Sequence, residues 1–173
     1  PYTTLFRSNA VHGANGAFFH SDVRILNPSG SAMQVTARYR CMTGSCGNAT
    51  QTFSIPGHQE QAFDDIVVGL FGAPETGGAV EFESAGNIVV TSRLYTPNRP
   101  AATYGQFIPG QPDVEATPSA ALTSLSNSAD KTVGFRTNVG VYNGGDSSQN
   151  VSFLLYDAQG TVLGQTTQSV AAF

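Results

Sequence analysis

The sequence predicts an all-β protein, an antiparallel β-sandwich, from three observations. Apolar and polar residues alternate over short segments, which is the period of half-buried strands. Turn-forming residues separate these segments at intervals of about 8 to 12 residues, without a convincing long helix. Residues 19–39 and 135–155 also align without a gap, at an offset of 116 positions. Two packed antiparallel layers are the most economical fold for such a pattern.

The internal repeat relates FHSDVRILNPSGSAMQVTARY to FRTNVGVYNGGDSSQNVSFLL. The identical positions are Phe19/Phe135, Val23/Val139, Asn27/Asn143, Ser31/Ser147 and Val35/Val151. What repeats is an alternation around a turn, with no set of reactive side chains, so a folding unit was duplicated. We expect a β-hairpin in each copy, at 22–40 and 138–156, turned at 27–30 and 143–146. The side chains expected to be buried are Val23, Ile25, Val35, Val139, Val141 and Val151.

The rest of the first copy is predicted to add strands around one helical turn. The strands are expected at 52–55, 59–63, 79–83 and 88–95, each bounded by proline, glycine or small polar residues. Asp64 or Asp65 is placed to cap the helical turn, which Gly72 ends.

These elements predict one complete unit and part of a second. The boundaries are 9–109 for the first sandwich repeat, 110–118 for a linker and 119–173 for an incomplete second repeat. If Phe63 and Phe173 correspond, the first copy carries six extra residues, the length of Cys41–Cys46. A half-sandwich cannot cover its inner face, so apolar side chains of the second copy should pack less completely than their counterparts in the first. Those side chains are Val151, Phe153, Leu155 and Phe173.

Residues 1–8, PYTTLFRS, share neither the alternation nor the glycine-rich composition of the rest of the chain. They can be written in codons as CCC TAC ACG ACG CTC TTC CGA TCT, which resembles the end of a common sequencing-library adapter read in frame. We therefore expect a metagenomic fragment in which these residues are a non-native artefact that makes few specific contacts. The alternative is a genuine N-terminal strand, which Tyr2, Leu5 and Phe6 could populate.

Composition argues against binding to nucleic acid and against insertion of these residues into a membrane. The formal net charge is −4, only 12% of residues are charged, and Lys131 is the single lysine, so no basic stripe can neutralise nucleic-acid phosphates. No apolar run approaches the roughly 20 residues that span a bilayer. The profile of glycine, serine, threonine and asparagine is common in exported β proteins.

Cys41 and Cys46 are the only cysteines, and they lie where two predicted strands turn back on one another. A disulfide across the turn is expected, which favours an oxidising compartment, with reduced cysteines as the competing interpretation. A zinc site would need more ligands, and none of His12, His20 and His58 forms a Cys/His pattern with them.

We predict no catalytic, cofactor-binding or metal site. Gly145-Asp146-Ser147-Ser148 faintly resembles a hydrolase nucleophile motif, but it occupies the position of a turn in the other copy. Calcium coordination by Asp64-Asp65 or Asp146 is an alternative to capping and turn formation. An enzyme would need at least two of the three histidines to converge with acidic residues in a pocket.

A ligand-binding face is the remaining candidate site. Arg24, Arg38, Arg93 and Tyr95 could line a sugar-binding sheet face through stacking and forked hydrogen bonds. The alternative is an ordinary polar sheet face, and the absence of tryptophan removes the commonest sugar platform.

The segments HSDVRILNPSGSAMQVTARYR, QAFDDIVVGLFG, GGAVEFESAGNIVVTSRLYT and YGQFIP resemble uncharacterised β-sandwich repeats of large secreted bacterial proteins. Those repeats are similar to immunoglobulin-like and fibronectin-like accessory domains. The resemblance covers 9–109 well and 119–173 in part. It implies an immunoglobulin-like fold, export to the cell exterior or surface, and modularity, and it transfers no catalytic residue.

The expected function is a non-catalytic accessory module of a larger exported bacterial protein, acting as a spacer, stalk or adhesive domain. Its expected partners are other domains of that protein, and a surface protein or polysaccharide. The alternative is a carbohydrate-binding accessory domain, which a cluster of tyrosine and arginine beside a groove would favour.

Overall fold

The structure is a computed structural model that describes residues 2–13, 16–42, 45–47, 49–99, 102–130 and 137–172. Its elements in chain order are β1 (Tyr2–His12), β2 (Phe18–Leu26), β3 (Met33–Cys41), β4 (Thr50–Ile55), β5 (Glu60–Phe63), α1 (Ile66–Gly69), β6 (Thr76–Ser84), β7 (Val89–Arg99), β8 (Ala102–Pro109), β9 (Gln111–Pro112), β10 (Gln149–Tyr156) and β11 (Val162–Val170). They divide into unit 1, Pro1–Ala116, and unit 2, Thr117–Phe173.

Unit 1 is an antiparallel β-sandwich, as the sequence predicts. Its strands follow one hydrogen-bonded path, β4-β3-β6-β1-β2-β7-β8, with β9 beside β1 and β5 beside β2. β1 meets β2 through the pairs Val11↔Phe19 and His12↔Phe18, where the path folds into two layers. We call β4-β3-β6-β1-β9 the first sheet and β5-β2-β7-β8 the second. Consecutive strands β1, β2 and β3 alternate between the sheets, whereas strands A and B of an immunoglobulin domain share one.

The core lies between the two sheets. The alternating residues of β2 and β3 face it as predicted, with Val23, Ile25 and Val35 fully buried. The remaining members of this buried cluster are Phe6, Ala10, Ala37, Tyr39, Ile55, Ile66, Val67, Phe71, Ala73, Val80, Phe82, Ile88 and Val90. Because both sheets contribute, burial of apolar area between them is the main stabilising term.

The connection between β2 and β3 corrects the hairpin predicted at 22–40. β2 pairs with β1, β5 and β7, whereas β3 pairs with β4 and β6, so the chain crosses from one sheet to the other. Alternation specifies which face of a strand is buried but does not specify its neighbour. A hairpin and a crossing between sheets would both bury Val23 and Val35. Here the two side chains enter the core from opposite sheets.

The Asn27 side chain closes this crossing, in an arrangement that we call the asparagine corner. Its Nδ2 donates to the carbonyl oxygens of Ser31 at 2.8 Å, Ile55 at 3.0 Å and Pro56 at 3.2 Å. Its Oδ1 accepts hydrogen bonds from the backbone N–H and the hydroxyl of Ser29. Asn27 is fully buried, so these contacts satisfy an amide that would otherwise destabilise the core.

Tyr39 places a phenol in the core, with its hydroxyl 2.9 Å from the Thr76 hydroxyl. Burial raises the pKa of Tyr39 above its ordinary 10.0, and the hydrogen bond with Thr76 lowers it by less. Above about pH 10 the unfolded chain therefore releases a proton that the folded state retains, and the free energy of unfolding should fall as pH rises through the raised pKa. Urea unfolding at increasing alkaline pH tests this. Tyr39→Phe should make the fall shallower, and an unchanged slope would contradict it.

Residues 2–8 make extensive contacts, which contradicts the expectation that residues 1–8 make few. β1 pairs with β6 from Tyr2↔Ser84 to Ala10↔Thr76. Phe6 is buried and its ring stacks on that of Phe82 at 5.7 Å between centroids. The segment forms the N-terminal strand given above as the alternative, because it presents small or apolar side chains to the core at every second position. It lies inside the first sheet, between β6 and β9.

The segment predicted as a linker, 110–118, begins within unit 1. Its residues Gln111 and Pro112 pair with Leu5 and Thr4 as β9. A short 3₁₀ turn, Asp113–Glu115, follows immediately.

Unit 2 contains the antiparallel pair β10 and β11, from Gln149↔Val170 to Tyr156↔Val162. At the offset of 116 positions, β10 coincides with 33–40 in β3. In the first unit Met33 pairs with Ile55, so Ile55 corresponds to Val170.

This register corrects the predicted length difference between the copies. From Met33 to Ile55 is 22 positions and from Gln149 to Val170 is 21, so the first copy is longer by one residue rather than six. The predicted correspondence of Phe63 with Phe173 fails on this register, although Phe173 itself lies outside the described residues. The sequences TFSI at 52–55 and TQSV at 167–170 are similar, which supports the alignment of Ile55 with Val170.

Asn143 makes the contacts of the asparagine corner a second time. Its Nδ2 donates to the carbonyl oxygens of Ser147 at 2.8 Å, Val170 at 3.1 Å and Ala171 at 3.1 Å. Its Oδ1 accepts from the backbone N–H of Gly145 at 3.0 Å. The acceptors correspond to those of Asn27, so the identity of the two asparagines has a structural reason.

The hairpin predicted at 138–156 is not formed, because its second half is the strand β10, which pairs with β11. Among the described residues, 137–144 contain no strand, and Val139 and Val141 are 46% and 44% exposed. Val151 and Phe153 are half-buried and Leu155 is exposed, whereas their counterparts in β3 are fully buried. The expected looser packing of the second copy is thus confirmed for these three, with Phe173 outside the described residues.

Candidate functional site

The Cys41–Cys46 disulfide is formed, with 5.3 Å between the two Cα atoms. Cys41 ends β3, and its backbone N–H lies 3.3 Å from Sγ of Cys46 in the following loop. The prediction of a bridge where β3 turns towards β4 is confirmed.

Removing the disulfide by Cys41→Ser together with Cys46→Ser should lower the free energy of unfolding by about 2 kcal/mol, the value for so short a closed loop. Thermal unfolding with and without reductant measures the effect. The double variant should be insensitive to reductant, and equal stability of the two proteins would contradict a stabilising bridge.

Three of the four predicted ligand-face residues lie together on the outer face of the second sheet. Arg24 belongs to β2, and Arg93 and Tyr95 belong to β7. Direct cross-strand pairs set Asp22 opposite Arg93 and His20 opposite Tyr95. Arg24, Arg93, Asp22, Thr91, Ser92 and Phe107 line a shallow hollow of about 210 Å³.

Arg38 is not part of this face, because β3 belongs to the first sheet. Its Nη1 lies 2.9 Å from Oε1 of Glu81 and 2.6 Å from Oε2 of Glu83. The hydrogen bond to Glu83 is the largest of the influences that raise the pKa of Arg38. The fourth predicted residue is thus a cross-strand ion-pair partner.

The two arginines of the hollow differ in how they are held. Arg24 Nη2 lies 2.7 Å from Asp64 Oδ1, and its Nη1 donates to the Phe63 carbonyl at 3.2 Å. Arg93 lies over the Tyr95 ring, with 4.6 Å from Cζ to the centroid, and donates to the Thr103 hydroxyl. Arg93 and Tyr95 therefore form one flat cationic and aromatic platform.

A row of ring contacts continues from this platform across β2 to the end of β1. Successive centroids are 5.6 Å apart for Tyr95 and His20, 4.8 Å for His20 and Phe18, and 4.8 Å for Phe18 and His12. We call these four residues the aromatic row. Sequence reasoning missed it, because alternation groups residues 18 and 20 but does not reveal which strand brings Tyr95 beside them.

Both histidines of the aromatic row are held by carboxylates. Nδ1 of His20 lies 2.7 Å from Oδ2 of Asp65, and Nδ1 of His12 lies 2.8 Å from Oε2 of Glu75. His58 lies at the asparagine corner, where its backbone N–H donates to the Ser29 carbonyl. His58 therefore lies apart from His12 and His20, whose rings both contact the Phe18 ring.

Asp65 precedes α1 as predicted, but its carboxylate does not cap the helix. It has a left-handed backbone, at φ 49° and ψ 67°, and no side-chain capping hydrogen bond. Its N–H donates to Oδ1 of Asp22 at 3.1 Å, and its carboxylate turns to His20. In the part of the chain that the structure describes, no group of three His, Cys, Asp or Glu side chains is arranged to hold a metal ion.

The pKa of Tyr95, on the outer face of the second sheet, is shifted from its ordinary value. Partial burial raises its pKa above 10.0, and the charge of Asp22 adds to the rise. The phenol therefore stays neutral to a higher pH than an ordinary tyrosine side chain does.

No family model matches the chain, and no curated protein matches it. Among solved structures, the crystal structure of Thermotoga maritima 1070 superposes with a TM-score of 0.48 at 10% identity, covering 64% of this chain and 92% of that one. In the described residues, no helix is long and apolar enough to cross a membrane.

Proposed function

We propose that the chain is a non-catalytic repeat module of a larger exported bacterial protein, in which it serves as a spacer, stalk or adhesive domain. The observation that carries the proposal is the asparagine corner, which Asn27 and Asn143 build with corresponding acceptors in two units of one chain. Tandem copies of one folding unit are the usual construction of extended arrays.

One further observation supports export to the cell surface or exterior, and another supports the class of partner. The Cys41–Cys46 disulfide suits an oxidising compartment. The low content of charged residues and the formal net charge of −4 favour protein or polysaccharide partners over nucleic acid. The partners of the module are then neighbouring domains of the same protein and a surface protein or polysaccharide.

Independent folding of unit 1 tests modularity. A protein comprising residues 1–116 should unfold cooperatively, with a midpoint within about 3 °C of the main transition of the whole chain, since a repeat module carries its own core. Circular dichroism during heating measures both proteins. A segment that stays unfolded, or that melts far below the whole chain, would overturn the modular function.

Carbohydrate binding is the second candidate, and the outer face of the second sheet favours it. Arg93 and Tyr95 form a stacking platform beside a hollow that Arg24 and Phe107 help to line. Planar rings bind sugar faces, and forked guanidinium groups bind sugar hydroxyls and carboxylates. Phe107 is a further contributor that sequence reasoning did not single out, since it lies directly opposite Arg93 on β8.

Affinity electrophoresis in gels containing soluble polysaccharides tests this second function. Tyr95→Ala should weaken retardation by about tenfold, as expected for loss of one stacking side chain worth about 1–2 kcal/mol. Tyr104→Ala is the matched control, because Tyr104 is an exposed tyrosine of the neighbouring strand whose direct partner is the buried Thr96, so it lies on the other face of the second sheet from Tyr95. Equal effects of the two changes, or no retardation by any polysaccharide, would exclude this face as a sugar site.

A further inference from the structure

Asn143 is followed by glycine, whereas its counterpart Asn27 is followed by proline. An asparagine side chain loses its amide when the backbone nitrogen of the next residue attacks it. Proline has no backbone N–H for this attack, so Asn27 cannot react in this way. Glycine supplies an N–H and has no side chain to obstruct the approach. The two copies of the asparagine corner therefore differ in chemical durability.

The Asn143 side chain is also more accessible than that of Asn27. Asn143 is half-buried and Gly144 is exposed, whereas Asn27 is fully buried. The Gly145 nitrogen lies 3.0 Å from Oδ1 of Asn143, and its N–H stabilises the negative charge that develops on this oxygen during the attack. Against the reaction, Nδ2 of Asn143 donates to three carbonyl oxygens. The amide therefore leaves when the corner opens locally.

We propose that Asn143 is a site of spontaneous deamidation, which converts it to aspartate or isoaspartate. The Gly144 nitrogen forms a bond to Cγ of Asn143, its proton passes through water to Nδ2, the Cγ–Nδ2 bond breaks, and ammonia leaves. Water then adds to either carbonyl carbon of the resulting cyclic imide and breaks one of its two C–N bonds. The inference does not depend on the modular function, which stands whether or not Asn143 reacts.

Deamidation replaces the donor of the second corner with an acceptor. An ionised carboxylate only accepts hydrogen bonds, so it cannot donate to the carbonyl oxygens of Ser147, Val170 and Ala171. Those oxygens would instead face a negative charge at the end of the β10–β11 pair, where Gln149 pairs with Val170. The modification should therefore loosen that end of unit 2, and a change of solvent does not reverse it.

Incubation of the whole chain in mildly alkaline buffer, followed by peptide mapping with mass spectrometry, tests the proposal. Asn143 should convert to aspartate and isoaspartate about tenfold more slowly than in an isolated peptide of residues 140–147, because the corner must first open. Asn27 should remain an amide throughout. The peptide map also separates Asn143 from Asn15, which is followed by Gly16 and lies outside the described residues.

Two substitutions that copy the unit 1 sequence separate the chemistry from the fold. Gly144→Pro copies Pro28 and should abolish the conversion of Asn143, because it removes the attacking N–H. Gly145→Ser copies Ser29 and should change the rate by less than about threefold, because serine keeps the backbone N–H that contacts Oδ1. Conversion that persists in Gly144→Pro, or equal conversion of the two corner asparagines, would overturn the proposal. So would an Asn143 that stays intact for more than about a hundred half-lives of the isolated peptide.

Asn143→Asp supplies one product directly and tests the consequence for unit 2. Amides near Gln149 and Val170 should exchange at least about threefold faster than in the unsubstituted chain, while those at the opposite end of the β10–β11 pair should not change. Asn138→Asp is the matched control, because it adds the same charge at an exposed position. Equal exchange in the two variants would overturn the predicted loosening of the second corner.

Discussion

Asn27→Ala should lower the free energy of unfolding of unit 1 by about 3 kcal/mol or more. The substitution removes the donor shared by the carbonyl oxygens of Ser31, Ile55 and Pro56, and the acceptor of Ser29. Each buried polar group left without a partner costs about 1–3 kcal/mol. Urea unfolding followed by circular dichroism measures the change, which is among the largest expected for one side chain of this protein.

Asn143→Ala is the matched control for this substitution, because it removes the corresponding contacts, except that of the Ser29 hydroxyl, from a partly exposed site. Water can replace the lost donor there, so the main transition should move by less than about 1 kcal/mol. Equal effects of the two alanine substitutions, or a neutral Asn27→Ala, would show that the asparagine corner does not hold the two sheets of unit 1 together.

Phe6→Ala should lower the free energy of unfolding by about 3–5 kcal/mol, the range for truncating a buried phenylalanine. The side chain is 2% exposed and stacks on Phe82 inside the sandwich. Deletion of residues 1–8 should be more damaging still, because it removes the strand that pairs with β6 from Tyr2 onward. The first sheet would then lose its contact with β9 as well.

Arg7→Ala serves as the control for Phe6→Ala, since Arg7 is the exposed neighbour on the opposite face of β1. It should change stability by less than about 0.5 kcal/mol. Thermal melting of the three proteins separates the outcomes. An unchanged midpoint after deletion of residues 1–8 would contradict the placement of β1 and would restore the expectation that these residues are dispensable.

The buried faces of unit 1 could be predicted from the sequence because each strand of a sandwich shows one face to the core. Val23, Ile25 and Val35 follow from alternation alone. The neighbour of each strand could not be predicted, since period 2 is the same in a hairpin and in a crossing between sheets. The repeated asparagine was visible as an identity, but its role depends on the carbonyl of Ile55, which lies 28 residues further along the chain.

Residues 1–8 show a second limit of sequence reasoning. Their difference in composition from the rest of the chain was visible, but the fit of Phe6 to a position beside Phe82 depends on strand pairing over more than 70 residues, which no local pattern encodes. In the candidate site, residue type pointed to Arg24, Arg93 and Tyr95, and the register of β2 with β7 brings them together. Arg38 has the same chemistry but lies in the other sheet, because residue type carries no information about topology.

Backbone hydrogen exchange of the whole chain, followed by mass spectrometry, tests the central claim most directly. That claim is a two-sheet sandwich in unit 1, with β1 as an integral strand, and a less buried pair of strands in unit 2. We predict that amides of β1, β3, β6 and β7 exchange only with global unfolding of unit 1, whereas those of β10 and β11 exchange markedly faster. Rapid exchange throughout β1, or protection of β10 and β11 equal to that of β3 and β6, would contradict this claim.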